Sequence, residues 1–347
     1  MGYAGLPDSV AQCGGCDGGG RGVRSRSRPT GRAATFLMTV RWGILGAGWI
    51  VKTATAGALR SAPSATLAAV ASRDLERARE FEPERAYASY ADLLADDSID
   101  AVYIALTNDQ HAPWIHNALA AGKHVLCEKP LTLSADDSAA IFEAAESADR
   151  LVVEAAWSMW HPRMQRITAL ASSGAIGNLE DFLGTFTFEG VPDGNYRLDP
   201  MLGGGALLDI GVYPLHALVG CLPETDRVRL EVERVSGGLG VDLTTKARLD
   251  LGAHGRASIV ASFAMPESQR LLVRGSDSEV RVPDEQAFTT WREATTLLVG
   301  EHTESFAPTD GYRDMFEAVS GRILGREEWI LPPADSLRVA RLVDLLR

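Results

Sequence analysis

The sequence predicts an α/β domain built on a parallel sheet, followed by an α+β domain with a large, mostly antiparallel open sheet. Short apolar runs alternate with helical stretches between residue 40 and about residue 160, a pattern typical of βαβ units. After residue 180, apolar and polar residues alternate with a period of two in several segments, as in strands with one buried face. A chain of 347 residues is long enough for two such domains.

The apolar pattern places each element in order. In the first domain the predicted strands are 40–45, 66–71, 101–105, 125–127 and 151–153, and the predicted helices are 53–60, 75–81, 90–95, 114–121 and 134–148. In the second domain the predicted helices are 162–172, 205–222 and 336–346, and the predicted strands lie at 182, 185–188, 228–235, 243–251, 257–263 and 271–273.

The domain boundaries follow from these elements. Residues 1–38 combine closely spaced glycines with arginines, so we expect a disordered basic tail there; Met38 is an alternative translation start. Residues 39–160 would form the nucleotide-binding domain and residues 161–347 the substrate and dimerisation domain.

The composition favours a small molecule as the partner. With 46 acidic and 34 basic side chains the formal net charge is -12, which disfavours binding to nucleic acid or to an anionic membrane. Four cysteines are too few for a disulfide framework, and no apolar run approaches the roughly 18 residues of a membrane helix. We therefore expect a cytoplasmic protein. No metal is expected, because Cys13 and Cys16 have no second ligand pair.

A glycine-rich turn follows the first predicted strand. Residues 43–51 read Gly-Ile-Leu-Gly-Ala-Gly-Trp-Ile-Val. In a dinucleotide fingerprint one glycine makes the tight turn, the next lets backbone N–H groups approach the pyrophosphate, and a third small residue permits close helix packing. Val51 occupies the third position here. The strand before the turn and the helix after it predict a Rossmann nucleotide site with contacts from Gly46, Gly48, Trp49 and Ile50.

The end of the second strand bears on the choice of nucleotide. Ser72 and Arg73 stand where the adenosine ribose would lie, and a hydroxyl followed by arginine suits the 2′-phosphate of NADP. The alternative is that Arg73 is a solvated surface residue and that Asp74 binds the ribose of NAD. We predict NADP, with NAD as the second choice.

Beyond this point the chain resembles a known family. Glu128, Lys129 and Pro130, after the strand that ends near residue 127, resemble the Glu-Lys-Pro segment of the glucose-fructose oxidoreductase / inositol dehydrogenase (Gfo/Idh/MocA) family. The resemblance extends to residues 107–111, 154–157 and 197–213, and covers residues 40–347. Tyr213 stands where inositol-type members generally have histidine, so the chain most resembles the dihydrodiol dehydrogenase and NADP-linked D-xylose dehydrogenase group.

The resemblance implies an NAD(P)-dependent dehydrogenase that acts on CH–OH groups, or on a dihydrodiol CH–CH group, of a sugar, polyol or dihydrodiol. It also implies a homodimer or higher homo-oligomer. The cofactor contacts that it implies are Thr107, where many members have proline, and Asn108, His111, Glu128, Lys129 and Trp157.

The catalytic prediction combines this resemblance with spacing. Asp209 and Tyr213 are four residues apart on a predicted helix and so project from one face, after three consecutive glycines that let the chain approach a ligand. Lys129 follows a parallel strand, where open α/β sheets bind their ligands. We predict hydride transfer between a carbinol carbon and C4 of the nicotinamide. Tyr213 would be the acid/base, because the Lys129 ammonium would lower the pKa of its phenol toward working pH.

Other assignments remain open at this stage. Lys129 itself could transfer the proton, and Asp209 would orient Lys129 or bind a second hydroxyl, with Arg197 as a further substrate contact. Trp157 could belong to the core, and His216 is expected to be a helix-face residue that binds no metal. A non-catalytic nucleotide-binding sensor and a dehydrogenase that retains tightly bound NAD are the competing functions.

Overall fold

The structure is a computed structural model that describes residues 38–222, 229–283, 285–290 and 292–347. The tail predicted for residues 1–38 lies outside this range apart from Met38. Met38–Arg347 forms one compact unit.

A six-stranded sheet forms the first half of this unit, in the order β3-β2-β1-β4-β5-β6. Every neighbouring pair is parallel. The chain builds outward from β1 in one direction and then, from β4, in the other, so β1 and β4 flank the crevice in which such sheets bind ligands. The strands are β1 Val40–Leu45, β2 Ala65–Ala71, β3 Arg85–Tyr87, β4 Ala101–Ile104, β5 His124–Glu128 and β6 Val152–Ala155.

Five helices connect these strands. A π-helical turn, Val51–Thr55, leads into the first of them. The fourth begins six residues before its predicted start, because Pro113 lies inside the helix and does not end it. The helices are α1 Ala56–Ser61, α2 Leu75–Arg79, α3 Tyr90–Leu94, α4 Asn108–Ala120 and α5 Ala135–Ser147.

An eight-stranded sheet forms the second half, in the order β14-β13-β12-β11-β7-β10-β9-β8. All its pairs are antiparallel except β7 with β10, so the fold class predicted from the sequence is confirmed. The strands are β7 Leu179–Glu189, β8 Arg229–Ser236, β9 Asp242–Asp250, β10 Arg256–Ser262, β11 Ala264–Gly275, β12 Glu279–Arg281, β13 Thr295–Val299 and β14 His302–Phe306.

The helices of the second half pack between the two sheets. His161 caps the first of them by accepting a hydrogen bond from the Arg163 N–H, with Pro162 at the first helical position, where proline is favoured. The helix predicted for residues 205–222 begins instead with a π-helical turn, Leu207–Gly211. The helices are α6 Pro162–Ser172, α7 Val212–Cys221, α8 Gly311–Ile323 and α9 Pro333–Leu346.

The α7 region is the most apolar helical stretch of the described chain. By length and composition Pro200–Cys221 could cross a membrane, but 83 % of its most apolar window is buried inside the molecule. This burial is what a core helix requires.

Candidate functional site

A cluster of charged side chains lies at the carboxyl end of β5. The Lys129 ammonium donates to the backbone carbonyl of Asp209 at 2.8 Å and to its Oδ1 at 3.1 Å. Arg197 Nε donates to the other carboxylate oxygen at 2.6 Å. Only 13 % of the Lys129 side chain and 7 % of the Asp209 side chain are exposed. The fold thus brings together the lysine and the aspartate that are 80 residues apart in sequence.

Tyr213 completes this cluster. Lys129 Nζ lies 5.3 Å from the centroid of its ring, and Trp157 Nε1 donates to its hydroxyl at 3.3 Å. Phe186 and Phe288 pack around the same ring, with centroids 5.5 and 6.1 Å away. The phenol therefore has a polar side toward Lys129 and Trp157 and an apolar surround.

The pKa shifts in this cluster follow from burial and pairing. Burial acts to lower the pKa of Lys129, but the Asp209 charge and smaller contributions from neighbouring acidic groups together outweigh it, so the pKa is raised. Burial acts to raise the pKa of Asp209, but Lys129 and Arg197 outweigh it and the pKa is lowered. For Tyr213, burial raises the pKa more than Lys129 lowers it. The expected lowering of the phenol pKa is therefore wrong: in this structure the phenol is protonated at neutral pH.

The glycine turn after β1 leaves open space for a ligand. Gly46 has a φ of +108°, and a Cβ there would lie 2.4 Å from the carbonyl oxygen of Ala105, so this turn requires glycine. A Cβ at Gly48 would meet no heavy atom within 4 Å. Trp49 is 69 % exposed beside it, whereas Val51 is fully buried. The turn fits the cradle that a dinucleotide pyrophosphate needs at the start of a helix.

Two arginines lie at the end of β2. Arg73 is exposed and Ser72 is buried, and the hydroxyl of Ser72 accepts from the Asp74 N–H at 3.2 Å. The Asp74 carboxylate caps α2 by accepting from the backbone of Glu76 and Arg77. Arg77, which sequence reasoning missed, donates from Nη2 to the Ala47 carbonyl inside the glycine turn at 2.6 Å. Its place on the short helix that directly follows Arg73 is the signal that could have identified it.

The segment at residues 107–111 supports neighbouring backbone. Thr107 is the N-cap residue of α4, and Asn108 Nδ2 donates to the Gly203 carbonyl at 2.8 Å. His111 is fully buried, with Nδ1 2.8 Å from the Pro130 oxygen and Nε2 3.2 Å from the Leu106 oxygen. Burial lowers the pKa of His111. Contact of these three side chains with a cofactor stays a prediction.

Glu128 and Trp157 are also buried. Glu128 accepts from the Tyr103 hydroxyl at 2.5 Å and from the Lys129 N–H at 3.3 Å, and burial raises its pKa. Trp157 stacks on Tyr312 with centroids 4.9 Å apart. Sequence reasoning did not single out Tyr312, because no motif marks it.

Arg197 also packs on an aromatic ring. Its guanidinium lies 5.0 Å from the centroid of Tyr196, which sequence reasoning likewise missed. Direct adjacency to Arg197 is the only signal for Tyr196 in the sequence.

Comparison with known proteins places this arrangement in a family. Residues 40–155 match the model of an oxidoreductase family with an NAD-binding Rossmann fold, and residues 164–281 match the Gfo/Idh/MocA C-terminal domain. The chain belongs to the Gfo/Idh/MocA family of oxidoreductases, which confirms the resemblance read from its motifs.

Two curated relatives match almost their whole length. A D-xylose 1-dehydrogenase (NADP(+)) of Haloferax volcanii is 38 % identical over 88 % of this chain and 95 % of its own. A trans-1,2-dihydrobenzene-1,2-diol dehydrogenase of Danio rerio is 30 % identical over 89 % of this chain and 96 % of its own.

A solved structure is similar over the same range. It is a 3-ketoreductase from Actinomadura kijaniata in complex with NADP and TDP-benzene, 30 % identical, with a TM-score of 0.79 over 89 % of this chain and 97 % of that one.

Proposed function

We propose that the protein is an NADP-preferring dehydrogenase that transfers a hydride between C4 of the nicotinamide and a carbinol carbon of a sugar, polyol or dihydrodiol. The observation that carries the proposal is the convergence of Lys129, Asp209 and Tyr213 at the carboxyl edge of the parallel sheet. The names of the xylose and dihydrodiol dehydrogenases support the substrate class.

Tyr213 moves the proton in this mechanism. A bound nicotinamide dinucleotide supplies the hydride donor or acceptor. In the direction of reduction the Tyr213 hydroxyl, protonated because its pKa is raised, donates its proton to the substrate oxygen, and in oxidation the phenolate takes it back. The Lys129 ammonium stabilises the phenolate.

Lys129 is the weaker candidate for the proton transfer. Its ammonium is paired with Asp209 at 3.1 Å in a mostly buried site. Loss of its proton would leave the Asp209 carboxylate with Arg197 as its remaining partner, which is costly for a buried charge. Asp209 therefore keeps Lys129 charged and oriented.

Arg197 is the proposed contact for substrate oxygen atoms outside the reacting carbon. Its Nε donates to Asp209, and a guanidinium has four further N–H donors on its two Nη atoms. Asp209 and Tyr213 are the other proposed substrate contacts.

The two arginines near β2 support a preference for NADP. Arg73 is exposed, and Arg77 lies against the glycine turn, so both can pair with a 2′-phosphate. The Asp74 carboxylate is engaged in capping α2, which disfavours its role as a ribose ligand. The proposed cofactor contacts are Gly46, Gly48, Trp49, Ile50, Ser72, Arg73, Thr107, Asn108, His111, Glu128, Lys129 and Trp157.

The organisation of the chain is part of the proposal. Residues 39–160 bind the nucleotide, and residues 161–347 supply the substrate pocket and the dimer contact. The alternating exposed side chains of β11 support pairing of two copies through the open sheet face. Cys127 and Cys221, the cysteines of the described chain, are buried and unpaired, which supports a reducing, cytoplasmic location.

The test is a spectrophotometric screen with NADP and then NAD against aldoses, inositols and trans-dihydrodiols. Tyr213→Phe should lower turnover by about 10²–10⁴-fold and leave the dissociation constant for NADP unchanged. Tyr87→Phe is the matched control: it removes a phenol that donates to Asp96 at 2.7 Å at the far edge of the first sheet, and it should keep the wild-type rate.

Two results would overturn the proposal. A full rate in Tyr213→Phe would remove the tyrosine from the mechanism. Binding of NADP without turnover of any substrate in the screen would favour the nucleotide-binding sensor.

A further inference from the structure

Buried side chains hold the backbone at three consecutive residues around the reactive lysine. Glu128 accepts from the Lys129 N–H at 3.3 Å, His111 Nδ1 lies 2.8 Å from the Pro130 oxygen, and Glu154 Oε1 accepts from the Leu131 N–H at 3.1 Å. The exposed fractions of Glu128, His111 and Glu154 are 9 %, 0 % and 3 %. The position of this loop is therefore set by polar contacts from α4, β5 and β6.

The second contact of Glu154 is with the helix that carries Tyr213. His216 Nε2 lies 3.3 Å from the same Oε1 that accepts from Leu131. His216 is on α7, three residues after Tyr213, so it lies less than one helical turn from the phenol. A single carboxylate oxygen thus touches both the lysine loop and the tyrosine helix.

The environment of Glu154 favours its charged form. Burial acts to raise the pKa of Glu154, but His216, Ser336 and the hydrogen bond from Leu131 together outweigh it, so the pKa is lowered. Its other oxygen, Oε2, has no partner with hydrogen-bond geometry among the described residues, and Glu154 lines a small pocket with Thr132, Ser138 and Ser336, of which Ser336 also acts to lower its pKa. A buried carboxylate with one unsatisfied oxygen is a poor source of stability, which points to a different role.

We propose that Glu154 and His216 are positioning residues that fix the separation between the Lys129 ammonium and the Tyr213 phenol. The inference rests on the proposed function of that pair. Proton transfer is sensitive to such placement, since a displacement of about 1 Å can cost on the order of 10²-fold in rate. Neither Glu154 nor His216 is among the groups through which we propose that the protein touches substrate or cofactor.

The kinetic test compares Glu154→Gln, His216→Asn and the double variant. Glu154→Gln keeps an oxygen that can accept from Leu131 but removes the charge facing His216. Each single variant should lower kcat about tenfold or more, while KM and the dissociation constant for NADP stay within about twofold. Because the two residues act through one contact, the double variant should be no slower than the slower single variant.

Lys123→Met is the matched control for loss of a buried polar group. Lys123 is 5 % exposed and donates to the carbonyls of Asp96 and Ile99, both at 2.8 Å, just before the amino end of β5. This variant should lower the melting temperature and keep kcat. Multiplicative losses in the double variant, or a kcat loss in Lys123→Met of the same size, would overturn the proposal.

Crystal structures of the wild type and of Glu154→Gln with NADP provide a readout that does not need turnover. The 3.1 Å contact of Lys129 Nζ with Asp209 and its 5.3 Å separation from the Tyr213 ring should change by about 1 Å in the variant. Unchanged distances would reject the positioning role. If the wild type turned over no substrate, the proposed function would fail, and these distances would still decide the present inference.

Discussion

At the scale of single residues, the site depends on one carboxylate that serves two cations. Asp209 accepts from Lys129 through Oδ1 and from Arg197 through Oδ2. Without it, two mostly buried cations would lose the carboxylate that pairs with both of them. Breaking a buried pair in this way costs about 3–5 kcal/mol.

Asp209→Asn should therefore destabilise the protein by about 3–5 kcal/mol at neutral pH. In the variant, burial, the largest influence on the Lys129 pKa, would lose the largest charge that opposes it, and we expect the folded-state pKa of this lysine to fall below its unfolded value. A lysine whose folded pKa is depressed destabilises the fold at low pH, and this penalty begins to fall as the pH rises through the folded pKa and is gone above the unfolded pKa. In the wild type the Lys129 pKa is raised, so its stabilisation is fully present below the unfolded pKa of lysine and is lost only as the pH rises from there through the still higher folded pKa.

Urea unfolding at neutral and at mildly alkaline pH isolates the effect in the variant, because the wild-type stabilisation from Lys129 is still present at mildly alkaline pH. The stability gap between the wild type and Asp209→Asn should narrow as the pH rises. Asp242→Asn is the matched control: Asp242 is 5 % exposed and accepts from Leu207 and Thr245 and is not in an ion pair with any described residue. The difference in unfolding free energy between the wild type and Asp242→Asn should not narrow as the pH rises. A gap that stays constant or widens in Asp209→Asn would contradict the prediction.

The identity of these residues could be predicted from the sequence, but the electrostatics could not. Lys129 and Tyr213 each lie in a short motif of neighbouring residues, which can be recognised without knowledge of the fold. The sign of the Tyr213 pKa shift depends on burial, and Phe186 and Phe288, which pack on its ring, come from distant segments. A motif in the sequence can indicate that a cation lies near the tyrosine, but it does not show how deeply the phenol will be buried.

At the scale of elements, the two glycines of the first turn differ in what they require. Gly46 has a positive φ, and a Cβ at this position would lie 2.4 Å from the Ala105 carbonyl oxygen, so the backbone requires glycine here. Gly48 has neither restriction. The described protein gives no packing reason for glycine at position 48, and the close approach of a nucleotide supplies one.

Gly48→Ala should leave the melting temperature unchanged and weaken NADP binding about tenfold or more, which corresponds to roughly 1.4 kcal/mol. The added methyl group would occupy the space through which the pyrophosphate approaches. Gly57→Ala on α1 is the matched control, because its Cβ also meets no heavy atom within 4 Å. It should bind NADP normally and gain up to about 1 kcal/mol of stability from helix propensity. Fluorescence titration with NADPH measures the affinity. An equal dissociation constant for Gly48→Ala and the wild type would contradict a nucleotide contact at Gly48.

Elements with strong local patterns were predictable, whereas short ones were not. Residues 40–45 and 162–172 were predicted with the bounds that the structure has. Strands β3 and β12 have three residues each and are too short to show a period. Helix α8 was missed although Met315, Phe316 and Val319 recur at helical spacing and are all buried.

At the scale of the whole molecule, the end of the chain completes the first sheet. Phe316 of α8 lies edge-on to Trp42 of β1 and to Tyr103 of β4, with centroids 5.4 and 5.3 Å apart. Trp42 Nε1 donates to the Ser320 hydroxyl at 3.0 Å. The nucleotide-binding sheet therefore buries its aromatic side chains against a helix that follows the entire second sheet.

This dependence predicts that residues 38–160 will not fold on their own and that the full chain will unfold as one cooperative unit. Phe316→Ala should cost about 3–5 kcal/mol and should lower the midpoints of NADP release and of global unfolding together. Phe182→Ala removes an equally buried ring from the core of the second sheet and, if the halves are coupled, should move both midpoints in the same way. In Phe182→Ala the second sheet could instead unfold at a lower denaturant concentration than the one that releases NADP. That result would show that the nucleotide-binding half is stable without the second half and would contradict cooperative unfolding of the two halves.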